Sequence, residues 1–250
     1  MLKIENWEVL GWEHAIRGMR NPMNSWEKSD SNFFDDSEGH VCNICQGHGP
    51  MSLIEIGPND YALMMDLRNA GTDHRKFMRM ITVYLDITAP FYWWKEFDTY
   101  KIGTVANSCS TMHKIHAKEF DVNDFSHEHI EELDSDEYNM SYDWLLRTVD
   151  ILNYYRKKYN AASEKLKRDI TDAERKHVLA QQKLFWWQMI QLLPTSYNQK
   201  RTVMLNYEVL ANIYKSRRNH KLDCWHTFCD WIEELPYSEL ITGKEYEVEE

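Results

Sequence analysis

The 250-residue sequence lacks any apolar run long enough to span a bilayer. Its N-terminus, MLKIENWEVLGWEH, places acid inside the apolar stretch and lacks the long hydrophobic region of a secretory signal. These absences predict a soluble, cytoplasmic protein with no membrane partner. Positive charge is also scarce: 29 Lys and Arg stand against 40 Asp and Glu, a formal net charge of −11. The acids cluster at Asp35, Asp36 and Glu38, at Glu131 to Glu137, and along Glu245 to Glu250. Such a surface repels a polyphosphate backbone and excludes nucleic acid as a partner. A single nucleotide needs only a local cationic pocket, which Lys200, Arg201, Arg217, Arg218 and Lys221 could supply; a solvated helix face is the competing reading of that cluster. Cysteine is limited to five residues, an odd number with a close Cys42-x-x-Cys45 pair, which favours reduced thiols over a disulfide framework. Internal repeats and low-complexity tracts are absent, and no composition break divides the chain, so a single domain over 1–250 is expected.

What the chain does have is 43% hydrophobic residues, including 10 Trp and 14 Tyr, enough for a substantial core. Lys3 to Met19 reads as a strand followed by a short helix through His14 to Met19, stopped by Asn21 and Pro22. Residues 21–50 read as a polar surface excursion. Pro58 opens a helix ending at Gly71, and Met80 to Ile87, rich in β-branched and aromatic residues, reads as a strand. The aromatic run after Pro90 reads as helix, and 118–138 as an acidic, exposed insertion or loop. Tyr142 to Tyr159 carries Leu145, Val149, Leu152 and Tyr155 on one stripe. Another helix opens with the capping pattern Thr171-x-x-Glu174 and closes before Pro194. Arg201 to Lys215 and Leu222 to Glu234 are read as the last helices. The order predicts an α+β fold with helix in excess.

The segment GTDHRKFMRMITVYLDITAPFYWWKEFDTYKIGTVANSCSTMHK resembles the core of the flavin-dependent thymidylate synthase (ThyX) family, where a Gly-His element, a strand and a helix lead into RHRxxSxNExSxRY. Counted without a gap from Pro90, Thr99, Tyr100 and Lys101 occupy the RHR positions and Thr104 the first serine. Ala106 and Asn107 then stand at the Asn-Glu pair, Cys109 at the second serine, and Thr111 and Met112 at the Arg-Tyr ending. A one-residue slip places Asn107 and Ser110 on the family's Asn and Ser instead, and both registers stay open. The C-terminal part is similar too: Pro194, Asn206, Asn212 and Arg217 match the family's spacing of proline, two asparagines and arginine without gaps, with Leu210 in place.

The resemblance, which covers most of residues 50–235, implies a ThyX-like fold: a small antiparallel sheet with a helix-rich C-terminal half. It implies FAD bound between subunits of a homotetramer, a deoxypyrimidine monophosphate (dUMP) as substrate, and NADPH and methylenetetrahydrofolate as co-substrates. By its match Arg217 is the catalytic candidate, a cation beside the pyrimidine carbonyls that stabilises charge developing on the ring. Asn206 and Asn212, six residues apart, are expected to share one helix face and hydrogen-bond the flavin. His74, Tyr100 and Lys101 complete the flavin-side set. Lys101, Thr104, Ser108, Cys109, Ser110 and Arg217 make up the nucleotide side, with Lys101 a point charge where the family has a bidentate arginine. Each has an ordinary structural reading beside it: surface arginine, capping amide, serine-rich turn, buried inert cysteine, helix-end histidine. The loss of the RHR, Glu and Arg-Tyr groups leaves an alternative, a catalytically inactive descendant of the fold that binds a nucleotide or a protein.

Two further sets are metal-like. His40, Cys42, Cys45 and His48 are a compact group that could close around zinc, although the spacing is tight for a finger and glycines break structure there. Cys224, His226 and Cys229 alternate with Trp225 and Phe228 on what reads as a packed helix.

Overall fold

The computed structural model describes residues 2–34, 53–131 and 140–243. In chain order the elements are β1 (Lys3–Leu10), α1 (Trp12–Arg20), β2 (Asn32–Phe34), β3 (Leu53–Glu55), α2 (Pro58–Asn69), β4 (Thr82–Pro90), α3 (Phe91–Phe97) and β5 (Val105–Ser108). There follow α4 (Thr111–Lys114), α5 (Glu128–Glu131), α6 (Met140–Leu166), α7 (Asp172–Leu192), β6 (Asn198–Asn206), α8 (Tyr207–Arg217), α9 (Asp223–Glu233) and α10 (Glu239–Thr242). The α+β expectation holds: helices dominate, and four strands form one sheet in the order β1-β4-β6-β5, with β1 antiparallel to β4. A separate β2-β3 pair is antiparallel. The chain divides into two compact units that interleave in sequence, one holding Ala89–Trp94 and Ser108–Lys200, the other Leu2–Thr88, Lys95–Asn107 and the residues from Arg201 onward.

In the second unit β4 shows why a strand forms at this point. Val83, Leu85 and Ile87 are fully buried at every second position, a period that only an extended chain places on one face. Val9, Val203 and Leu205 join that core, and Trp12 packs edge-on against Tyr207 at 5.3 Å. The strongest polar staple lies among α1, α2 and the segment before β2. Asp60 is 0% exposed and accepts from Arg20 Nε at 2.6 Å, from the Ser29 and Ser31 hydroxyls at 2.7 Å each, and from the Asp30 and Ser31 N–H groups at 3.1 Å each. Asp30 in turn caps α2, accepting from the Asn59 and Asp60 N–H groups. Burial alone raises the Asp60 carboxyl; hydrogen bonds from Ser31, Ser29, Arg20 and Asp30 outweigh it and hold it below its ordinary value.

In the first unit α6 and α7, joined through residues 167–171, form a hairpin. Thr171 accepts from the Glu174 N–H while the Glu174 carboxylate accepts from the Thr171 N–H, the reciprocal cap read from the sequence. Ile115, Phe120, Phe125, Leu145, Leu152 and Met189 are the core. This corrects the picture of 118–138 as uniformly exposed. Phe120 and Phe125 are anchors, and the Asn153 amide holds both the N–H and the C=O of Phe120, at 2.9 and 2.8 Å. Residues 132–138 lie outside the described part, as do most of the 21–50 excursion and the His40, Cys42, Cys45, His48 set.

One helix is corrected outright. Arg201 to Lys215 is not continuous helix: β6 runs to Asn206 and α8 starts at Tyr207. The β-branched Thr202 and Val203 favour the strand, and Asn206, extended at φ −135° and ψ 169°, ends it by accepting the Val209 N–H at 3.1 Å as the cap of α8.

Candidate functional site

The second unit gathers the candidate chemistry around the C-terminal end of α8. Arg217 donates from Nη1 to Glu96 Oε2 at 2.7 Å and from Nε to Tyr100 Oη at 2.9 Å. Its guanidinium lies 4.8 Å from the Trp225 ring and 5.7 Å from the Tyr100 ring. Glu96 Oε2 also accepts from Trp225 Nε1 at 2.9 Å, and His220 Nε2 stands 3.4 Å away. Arg217 and Glu96 are part-buried, with side chains 18% and 32% exposed, so the pair sits where solvent screening is reduced but present. The elements explain the convergence. α3 ends at Phe97, and its last turn presents Glu96. Phe97 stacks on Trp225 of α9 at 6.5 Å, which brings the end of α3 against α9.

Beside this network is a cleft of about 340 Å³ lined by Phe97, Asp98, Tyr100, Lys101, Thr104 and Ala106. Asp98 is neutralised by Arg201 at 2.7 Å. Lys101 is exposed and makes no ion pair among the described residues. The Thr104 Oγ1 is buried and has no hydrogen-bond partner among the described residues. An orphaned buried hydroxyl is costly unless something meets it. The turn carrying these residues lies close against the start of α8: at Gly103, φ +79°, an added Cβ would stand 3.0 Å from Asn206 Nδ2 and 3.1 Å from Val209 Cγ2.

The sequence candidates therefore separate. Tyr100 and Arg217 meet directly, and Tyr100, Lys101 and Thr104 share the cleft. Asn206 and Asn212 do not share a helix face, because Asn206 is the cap residue. Asn212 is exposed and accepts from Arg75 Nη2 at 3.2 Å, next to the Arg75–Glu208 ion pair of 2.8 Å. His74 is exposed in the turn before the 3-10 helix Arg75–Arg79. Ser108, Cys109 and Ser110 belong to the first unit. There Ser110 caps α4, and Cys109 is exposed, not buried as its ordinary reading had it. The Cys109 N–H donates to Lys200 O, and its C=O accepts from Gln199 Nε2. Cys229 is buried, which pushes its thiol up to about 11, and His226 is turned to the His220 carbonyl at 2.6 Å. Among the described residues no group of three or more His, Cys, Asp or Glu is placed to hold a metal. Glu96, Trp225 and His220 were not read from the sequence as site residues. Glu96 stands four residues before Tyr100, and only a partner for Arg217 could have drawn attention to it.

No family model matches the chain, and no curated protein matches it significantly. Among solved structures it is similar to the flavin-dependent thymidylate synthase ThyX of Helicobacter pylori complexed with FAD and dUMP, with a TM-score of 0.59 and 15% identity over 96% of this chain and 98% of that one. A second structure of the Helicobacter pylori enzyme with FAD and dUMP matches with a TM-score of 0.57 and 14% identity, over 97% and 98% of the two chains. The fold is ThyX-like. At this identity the likeness is one of backbone architecture and assigns no residue a role. No helix among the described residues is long and apolar enough to cross a membrane.

Proposed function

We propose that the chain is a ThyX-like, FAD-binding enzyme acting on C5 of a deoxypyrimidine monophosphate, with dUMP the first substrate to test. The observation that carries this reading is the ring of polar contacts on Arg217, placed beside a cleft whose buried Thr104 hydroxyl lacks a partner. The cleft has the volume of a small-ligand site. Its polar groups suit an anionic nucleotide: a hydroxyl to donate, one cation at Lys101, and Tyr100 as a flat surface. A guanidinium has five N–H donors. Two serve Glu96 and Tyr100, and the others remain to meet a pyrimidine carbonyl where negative charge develops. Glu96 and Tyr100 fix the plane of that guanidinium, a positioning function.

The flavin side rests on α8 and the turn over its start. Asn206 spends its Oδ1 on the cap and has its Nδ2 against the Gly103 turn, whereas the exposed Asn212 uses its Oδ1 on Arg75 and has its Nδ2 to offer a ligand. His74 lies one residue before the Arg75 that holds Asn212. When bound, reduced flavin supplies the reducing equivalents and carries the one-carbon unit, with methylenetetrahydrofolate and NADPH as co-substrates. Everything else falls to the chain: binding the nucleotide, orienting the base, and stabilising charge at the ring carbonyl.

The test is the visible absorbance spectrum of the gently purified protein, followed by thermal stabilisation on adding FAD and by tritium release from C5-labelled dUMP. A flavin band, a rise in melting temperature and release abolished by Arg217→Ala are expected. No flavin band together with no stabilisation by FAD overturns the reading. A second reading, a nucleotide-binding descendant without turnover, is favoured by the Glu96 carboxylate on Arg217, which offsets the charge the reaction needs. It predicts dUMP binding with no tritium release.

A further inference from the structure

A smaller cavity of about 190 Å³, half open to solvent, lies within the second unit between α1 and the strap of residues 26–33, and the proposed reaction does not use it. One face of α1, at steps of three and four residues, lines it with Glu13, Ile16, Arg17 and Arg20; the strap adds Trp26 and Phe33. The strap is held from below. Arg20, 4% exposed, donates from Nε to Asp60, from Nη1 to Ser25 O at 3.3 Å and from Nη2 to Lys28 O at 3.1 Å. Its charge is balanced by Asp60, so it acts as floor. Ser29, also on the wall, gives its hydroxyl proton to Asp60, which leaves an interior that is chiefly carbon. Both rings are fixed in place: Trp26 Nε1 donates to Asn21 Oδ1 at 2.8 Å, and Phe33 stands in β2 opposite Ile54 of β3. Trp26 is nevertheless 49% exposed and Phe33 42%, beside a buried Ile16. Two pinned aromatic rings on one cavity are apolar surface that the described fold leaves unfilled.

Charge and volume select the occupant. Glu13 and Arg17 stand four residues apart on α1, the spacing at which opposite charges ordinarily pair, roughly 6 Å between Cβ atoms. Both are exposed, and neither makes an ion pair among the described residues. A rim with one anion and one cation disfavours a ligand carrying a single charge, since one of the two groups repels it. It matches a ligand with an ammonium and a carboxylate on one carbon and an apolar group below them. An apolar cavity of about 150 Å³ stays dry and takes a benzene ring. This one therefore holds a six-membered ring with its methylene, and it is too small for a nucleotide or a flavin, whose sites run from about 300 Å³ upward. Trp26 and Phe33 favour an aromatic ring over an aliphatic chain. A phenolic hydroxyl would enter this carbon-lined space at a cost, which favours phenylalanine over tyrosine.

We propose that this cavity binds a free aromatic α-amino acid, with L-phenylalanine the best fit: its ring against Trp26 and Phe33, its ammonium on Glu13 and its carboxylate on Arg17. The site shares no residue with the Arg217 network or its cleft, so it stands or falls separately from the enzymatic reading.

The test is titration of the full-length protein with L-phenylalanine near neutral pH, followed by calorimetry and by saturation-transfer NMR, beside phenylacetate, phenethylamine and glycine. One site per chain with a dissociation constant of about 10 μM to 1 mM is expected for a ligand of this size. Each partial ligand, lacking the ammonium, the carboxylate or the ring, binds about tenfold more weakly or worse. Glu13→Gln weakens L-phenylalanine about tenfold and leaves phenylacetate unchanged, whereas Arg17→Gln weakens it equally and leaves phenethylamine unchanged. Both side chains are exposed, so these variants keep the wild-type melting temperature. Trp26→Ala, which deletes a wall, weakens every aromatic ligand. Absence of saturable binding up to about 10 mM L-phenylalanine overturns the proposal. So does phenethylamine or phenylacetate binding as tightly as the amino acid, which makes the cavity a site for a single charge, or an affinity that neither rim variant changes.

Discussion

Replacing Asp60 is the sharpest available test of what holds the second unit together. Five donors converge on its carboxylate: Arg20 Nε, two serine hydroxyls and two backbone N–H groups. Asp60→Asn keeps the shape but removes the charge and turns one oxygen into a donor facing donors. Breaking a buried ion pair from one side costs about 3–5 kcal/mol, because the partner charge stays buried. Arg20 is only 4% exposed, so the upper part of that range applies. At about 2–4 °C per kcal/mol for a chain of this size, the variant should melt roughly 8–20 °C below the wild type. The pH dependence fixes the mechanism. The folded carboxyl is held below its unfolded value, so its stabilisation is fully present above the unfolded value near ~3.9 and fades as pH falls through the folded value. Calorimetry of both proteins from neutral pH downward should show the gap between them narrowing at the acid end. A gap below about 1 kcal/mol at pH 7, or one that persists unchanged into strong acid, would refute the reasoning. Arg20→Met combined with Asp60→Leu should recover part of the loss, since the orphaned charge is gone.

Other consequences are as direct. Thr171→Ala removes the hydroxyl that caps α7 and should cost about 1 kcal/mol, read as faster amide exchange in the first turn of α7. Gly103→Ala puts a Cβ against Asn206 and Val209 at positive φ; a loss of about 1–3 kcal/mol is expected, seen as a lowered melting temperature, and an unchanged one would contradict the close approach. Peptide-resolved maleimide labelling at pH 8 should modify exposed Cys109 well before Cys229, whose buried thiol is pushed up to about 11. Equal rates would mean that α9 opens readily.

Much of the architecture could be read from local signals because those signals are themselves structural. Period-2 burial in β4, Pro58 at the start of α2 and the Thr171–Glu174 box each specify an element through contacts a few residues long. The errors arose where a short stretch supports two states. Arg201 to Asn206 has a helix-compatible composition next to a real helix, and its strand state is decided by pairing in the sheet, which lies far away in sequence. Asn206, expected on the face of a helix with Asn212, is instead the residue that caps α8. Its spacing to Asn212 and Arg217 is real, yet a cap and a mid-helix residue point differently, which no spacing reveals. Phe120 and Phe125 were lost in an acidic stretch because their burial depends on Asn153 and the α6–α7 core.

The candidate site was legible in its cations and illegible in their partners. The sequence offers Arg217, Arg201 and Lys101 as cations that could meet a nucleotide; the structure shows Arg217 on Glu96 and Arg201 on Asp98, both at 2.7 Å. A neutralised arginine still donates hydrogen bonds, but it contributes far less long-range attraction for an anion. Lys101 is then the cleft cation without an ion pair among the described residues, and a lysine meets a phosphate as a point charge, not as a fork. On the proposed reading, a site so arranged would orient a ring better than it captures a phosphate: Tyr100, Trp225 and the fixed plane of Arg217 would define direction, while net attraction would be small. Selection would then fall on the shape and hydrogen-bonding edge of the base, with Glu96, which holds the plane of Arg217, as the positioning residue.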